Sequence, residues 1–174
     1  MLHVPPPASH VPAPEPSLDE IVSTSRELTS GTAYGLLCTV DRRGCPRGRW
    51  MGCVTEGAFD RLLSLTASAS RKVAEIRAQP QVQWIFTSPD MARVVTFTGH
   101  ARVVDHVEEV KSHWPKFPDK TRAYFLHGSL SGLGVAVIET TPETLEFSIP
   151  ASNIHVALDM ATIRDWLATS QRKI

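Results

Sequence analysis

Apolar and polar positions change their period several times along the chain, and each change marks an element. Leu18, Ile21, Val22 and Leu28 fall at helical spacing behind Ser17-Leu18-Asp19-Glu20, so a helix starts at Ser17 and ends before Gly31. Tyr34–Val40 reads as a strand, Asp41-Arg42-Arg43-Gly44 as a turn, and Pro46–Val54 as its partner. In that partner Arg47, Arg49 and Met51 share one face, and Gly48, Trp50 and Gly52 the other. Glu56–Asp60 is a turn and Leu62–Thr66 a third strand. A helix then starts after Ser70 and stops near Ala78, because Pro80 disfavours helical geometry at Gln79. Its residues Val73, Ala74 and Ile76 are expected on the sheet.

Gln81–Ser88 alternates, with Val82, Trp84 and Phe86 on one face. Ala92–Asp105 is a long strand with Gly99 inside it, which predicts a bulge or bend. Residues 106–127 are helical with a break from Trp114 to Pro118, and 127–134 form a glycine- and serine-rich loop. Val135–Glu139 and Leu145–Ile149 are expected as a hairpin around Thr140-Thr141-Pro142-Glu143. Asn153–Leu158 is one more short strand, and Ala161–Ser170 a closing helix carrying Ile163, Trp166 and Leu167. Tight turns between early and middle strands require an antiparallel sheet. The expected class is mainly β with flanking helices (α+β), an antiparallel six- to seven-stranded split β-barrel.

Composition adjusts this picture in a few places. Six of the thirteen prolines (Pro5, Pro6, Pro7, Pro12, Pro14 and Pro16) crowd the N-terminus. Residues 1–16 are therefore expected as a disordered Pro-rich tail, 17–150 as the barrel, and 151–174 as a C-terminal extension with the closing helix. The 174 residues hold 18 basic and 18 acidic side chains. A net charge of zero argues against a dedicated nucleic-acid binder. No apolar run approaches a membrane span, and the N-terminus lacks the charged and apolar regions of a signal peptide. Cys38, Cys45 and Cys53 are odd in number and without Cys-x-x-Cys spacing, which points to strand-filling thiols in a reducing, cytoplasmic setting. No metal site is expected, because His100, His106, His113 and His127 share no ligand motif.

The stretch with chemical promise is Ser70-Arg71-Lys72. Cations in the first turn of a helix oppose its dipole, so two of them beside free N–H groups suit a bound anion such as phosphate. The plainer reading is a capped surface helix with two solvated charges.

In order and spacing, several segments resemble the FMN-binding split barrels of the pyridoxamine 5'-phosphate oxidase-like superfamily, with the general stress protein-like branch the nearest group. They are Leu36-Leu37-Cys38-Thr39-Val40-Asp41 with Gly44-Cys45-Pro46, Arg49-Trp50-Met51, Leu63–Thr66 with Ser70–Ile76, Gln79-Pro80-Gln81-Val82, Thr98–Val104, and Val135–Phe147. The resemblance covers residues 18–149 and implies an FMN site at a homodimer interface. It assigns Ser70, Arg71 and Lys72 to the phosphate, Arg49 to the phosphate or ribityl chain, the backbone of Trp50 and Met51 to the ring, and Thr66 to the ring's polar edge. The phosphate site suits FAD or a deazaflavin too, and the resemblance ranks them behind FMN.

Two departures bear on function. Trp50 stands where many members carry Pro. The C-terminal Ala161–Leu167 lacks the Arg-Leu-His-type segment of true oxidases, which disfavours pyridoxine phosphate as substrate. Tyr124 could reach a partner's flavin, although helix packing is its simpler role. The expected function is a flavin-dependent oxidoreductase acting on a small redox substrate that the sequence does not name. The competing readings are a non-catalytic flavin-binding stress or sensor dimer and a flavin-free interaction module.

Overall fold

A computed structural model of the chain describes residues 14–129 and 134–170. The elements run α1 (Leu18–Leu28), β1 (Ala33–Val40), β2 (Pro46–Glu56), β3 (Arg61–Ala67), α2 (Arg71–Ala78), β4 (Gln81–Thr87), β5 (Val94–Val104), α3 (Val107–His113), a 3-10 turn (Trp114–Lys116), α4 (Asp119–Ser129), β6 (Val135–Ile149), β7 (Ile154–Asp159) and α5 (Met160–Ser170). The expected tail falls largely on residues outside the described ones. So do residues 130–133 of the expected loop, whose first part instead continues α4 to Ser129.

The strands hydrogen-bond in the order β3-β2-β1-β4-β5-β6-β7, and β3 pairs back onto β6. Six antiparallel strands thus close a barrel, and β7 extends it beyond β6. Closure removes the sheet edges that would otherwise invite aggregation. Inside lie Leu37, Leu62, Trp84, Phe86, Phe97, Ile138, Leu145 and Phe147, all fully buried. Trp84 is the largest of them, and its indole N–H donates to Thr140 Oγ1 at 3.1 Å, so the one polar atom of the ring is satisfied. The extension is continuous with this interior: Met160, Ile163 and Leu167 of α5 belong to the same core.

The expected hairpin at Thr140–Glu143 is instead one long strand. β6 runs without a turn from Val135 to Ile149, and the register slips between Thr98 and Gly99, where Gly99 faces Pro142 and Thr98 faces Thr144. A proline that cannot donate to the ladder is absorbed by a bulge rather than by a chain reversal. Gly99 permits this. A Cβ there would lie 2.1 Å from the Thr141 carbonyl oxygen.

A second, smaller core forms outside the barrel. Leu63, Leu65, Val104 and Val137 point outward from β3, β5 and β6 and are covered by Phe117, with Val110, Trp114 and Phe125 packed around it. Full burial of a phenylalanine contributes about 1.5–3 kcal/mol. The strap of α3, the 3-10 turn and α4 is therefore fastened to the barrel wall, and its break at Trp114–Pro118 is where Phe117 turns inward.

Helix α2 differs from expectation in its buried face. Val73 and Ile76 are buried as expected, but Ala74 is exposed and Glu75 is buried. That carboxylate organises the region described next.

Candidate functional site

The end of β3 and the start of α2 place Thr66, Ser70 and Lys72 together. Lys72 Nζ donates to Thr66 Oγ1 at 2.9 Å, and Thr66 Oγ1 lies 3.2 Å from Ser70 Oγ. Ser70 occupies the N-cap position but makes no side-chain cap bond, because its hydroxyl turns to Thr66. The Ser70 side chain thus takes up none of the first-turn N–H groups of α2, while the Ser70 carbonyl accepts from the Val73 N–H at 3.0 Å. Lys72 makes no ion pair among the described residues. Burial, then the nearby charge of Arg49, holds its pKa below the usual lysine value.

Beneath this triad sits Glu75, 4% exposed. Its Oε2 accepts from Thr39 Oγ1 at 2.6 Å and from Arg49 at 2.8 Å, while Arg49 also donates to Thr39 Oγ1 at 2.6 Å. Arg71 Nε lies 3.0 Å from Oε1 across one helical turn, off the axis of a hydrogen bond, so Oε1 has an ionic contact without one. Burial alone would raise the Glu75 pKa. The Thr39 and Arg49 hydrogen bonds and the charges of Arg49 and Arg71 outweigh burial and hold it below the ordinary carboxylate value. Arg49 is therefore a half-spent cation. It reaches the site, but its charge is already matched.

These groups open onto a cleft of about 990 Å³. One wall is Arg49, Trp50, Met51 and Gly52 of β2, with Tyr34 beside them. The floor is Leu65, Thr66, Ala67 and Lys72. The opposite wall is Lys120, Thr121, Tyr124 and Phe125 of α4. Of the residues singled out from the sequence, Arg49, Trp50, Met51, Thr66 and Lys72 line it, while Ser70 and Arg71 stand behind Thr66 and on the exposed helix face. Among the described lining residues the charged ones are Arg49, Lys72 and Lys120, all cations. No carboxylate, histidine or thiol is among them. The rings of Tyr34, Trp50 and Tyr124 stand 73%, 62% and 75% exposed, so the rim offers three uncovered aromatic faces. Among the described residues, no group of three His, Cys, Asp or Glu could hold a metal ion.

The sequence reading did not find Glu75, and of the α4 wall it singled out only Tyr124, which the structure leaves exposed on this chain's own cleft. The signal for Glu75 was present: alternation sends Arg49 inward with Met51, and an inward arginine needs a buried acceptor. The α4 wall had no such signal, because nothing local reports that the strap folds back over β3.

The family model for pyridoxamine 5'-phosphate oxidase matches residues 22–148. The chain belongs to this family. The match includes every strand of the closed barrel, apart from the last residue of β6, together with the cleft residues named above. Three solved structures of this architecture superpose on it. A protein from Clostridium acetobutylicum related to general stress protein 26 of B. subtilis does so with a TM-score of 0.71 at 14% identity, over 83% of this chain and 98% of that one. A pyridoxamine 5'-phosphate oxidase-related, FMN-binding protein from Nostoc punctiforme gives 0.58 at 13%, over 82% and 93%. An F420 reductase gives 0.50 at 21%, over 71% and 94%. At these identities the likeness shows the split-barrel fold alone. No curated protein matches the chain.

The other expected features have plain placements. Cys53 is buried, and burial pushes its thiol up to about 12, which makes it inert at neutral pH. Cys45 is exposed in the β1–β2 turn rather than filling a strand. No helix of the described residues is long and apolar enough to cross a membrane.

Proposed function

We propose that the cleft holds FMN and that the protein is a flavin-dependent oxidoreductase of the pyridoxamine 5'-phosphate oxidase-like type, working as a homodimer on a small redox substrate. The observation that carries this reading is Lys72. A half-buried ammonium with a depressed pKa, held by a hydroxyl and paired with no carboxylate among the described residues, is costly in the free protein and becomes useful when an anion arrives. A phosphate monoester carries about −1.5 to −2 charges and suits Lys72, Arg71, the Ser70 hydroxyl and the open first turn of α2. Thr66 and the Trp50–Met51 backbone are then in reach of the ring. FAD and a deazaflavin share the phosphate chemistry, and the F420 reductase among the similar structures keeps the latter in view.

Bound FMN would supply hydride transfer, while these residues position it and set its electrostatics. A non-catalytic flavin-holding dimer is the second reading. The absence of any carboxylate, histidine or thiol among the described lining residues favours it, since proton transfer would then fall to lysine, tyrosine or water.

Dimerisation rests on the outer face of β1, β2 and β4. Leu36 faces Trp50 and Ile85 across the strands, with Tyr34 and Cys38 on the same side. This face carries no charge on β1 and β4, and on β2 only glycine and Trp50 between Gly48 and Gly52. A second copy would cover it and complete the cleft rim. The free thiols Cys38, Cys45 and Cys53 support a reducing, cytoplasmic setting. Titration of the purified protein with FMN tests the reading. A saturable, perturbed flavin absorbance band that is lost in an Arg71→Ala/Lys72→Ala variant supports it, and no binding by the wild type removes it.

A further inference from the structure

His113 closes α3 with its side chain facing the barrel, and the residue is 4% exposed. Its Nδ1 is 3.2 Å from Lys116 Nζ, and its Nε2 is 3.3 Å from Glu139 Oε2. An ammonium only donates, so Nδ1 accepts and Nε2 carries the proton. The imidazole is thereby fixed as one neutral tautomer.

The groups around it come from every element packed there. Glu139 on β6 is gripped by Arg102 of β5 at 2.9 and 3.1 Å, with Arg61 of β3 at 3.8 Å. Arg102 also pairs with Glu109 of α3 at 2.5 Å, and Lys116 of the 3-10 turn pairs with Glu56 of β2 at 2.6 Å. Glu56, Glu109 and Glu139 balance Arg61, Arg102 and Lys116. The cluster is neutral only while His113 is neutral. A proton on Nδ1 would face the Lys116 ammonium 3.2 Å away, and one of the two cations would have to withdraw.

We propose that His113 is a proton-operated latch: while neutral it holds the α3–α4 strap on the barrel, and protonation releases it. The strap carries Lys120, Thr121 and Tyr124, so its release would open one wall of the cleft. That consequence rests on the flavin reading above, whereas release of the strap does not. Burial, then Lys116, lowers the His113 pKa against the smaller opposite pull of Glu139 and Glu56. The released state titrates at the ordinary histidine value of about 6.5. The docked state is therefore fully favoured above that value and loses ground as pH falls below it, down to the depressed docked pKa. At about pH 5.5 the loss reaches up to about tenfold in the docking equilibrium.

Hydrogen exchange of the full chain, corrected for intrinsic rates and measured with and without FMN, tests this. Between about pH 7.5 and about pH 5.5, amides of α3 and α4 should lose up to about tenfold protection while β1, β4 and β5 keep theirs. His113→Gln should abolish that selective loss. Lys116→Met, which removes the cation facing Nδ1, should shift or reverse it. Strap and barrel losing protection together, or an unchanged response in both variants, overturns the latch. Should His113→Gln fail to fold, a wild-type His113 ring resonance that titrates at or above the ordinary value overturns it equally. A flavin affinity that fails to follow strap opening would count against the cleft assignment and leave the latch standing.

Discussion

Replacing Lys72 with methionine separates function from stability in a way few substitutions do. In the free protein the ammonium is half-buried, carries a depressed pKa and has Thr66 as its hydrogen-bond partner. Thr66 keeps its contact with Ser70 when the ammonium is gone. Methionine has similar length and no charge to desolvate. The flavin-free Lys72→Met protein should therefore melt at or above the wild-type temperature. Binding should move the other way. A charge-assisted hydrogen bond to a phosphate contributes about 1.5–3 kcal/mol, so the FMN dissociation constant should rise about 10- to 150-fold. Flavin fluorescence quenching gives the affinity, and thermal melts with and without FMN give the stabilities. The melts provide a second check, since a ligand at about 100 times its dissociation constant stabilises by about 2.7 kcal/mol and the variant should lose most of that gain. If Lys72→Met binds FMN within twofold of wild type, Lys72 does not hold the phosphate. If the flavin-free variant melts well below wild type, Lys72 is a structural residue and its unpaired charge does not mark an anion site.

Three further outcomes follow from the same geometry. Glu75→Gln breaks a buried ion pair whose side chains are 5% and 18% exposed, and should cost about 3 kcal/mol in urea unfolding at neutral pH. Because the folded Glu75 pKa lies below its ordinary 4.5, its contribution is complete above that value and fades as pH falls through the folded pKa, so the variant's penalty should shrink on acidification. FMN affinity of the wild type should fall as pH rises through the depressed Lys72 pKa, below the ordinary 10.5, and Lys72→Met should lack that component. Gly99→Ala drives a methyl to 2.1 Å from the Thr141 carbonyl oxygen and should cost about 1–3 kcal/mol by thermal or chemical denaturation, whereas a neutral result would place the bulge elsewhere.

The barrel was legible because its strands announce themselves locally. Alternation in Gln81–Thr87 and the turn residues of Asp41–Gly44 are short-range signals, and closure follows once six antiparallel strands must hide their edges. Pro142 misled for a physical reason: a proline between two apolar runs reads as a turn, and only the slip opposite Gly99 lets one strand carry it. The cleft was half legible. Ser70-Arg71-Lys72 stood out because first-turn cations are unfavourable without an anion, but the sequence does not say that Arg71 leans on Glu75 while Lys72 stays unmatched. The α4 wall depends on Phe117 and Val137 meeting over a long separation in sequence, and no local period reports such a contact.

Native mass spectrometry of the purified protein after incubation with FMN reads assembly and flavin content together. The expected species is two 19.1 kDa chains carrying two FMN, with the flavin lost from the Arg71→Ala/Lys72→Ala variant while the dimer remains. A wild-type protein that retains no flavin at saturating FMN would contradict that expectation.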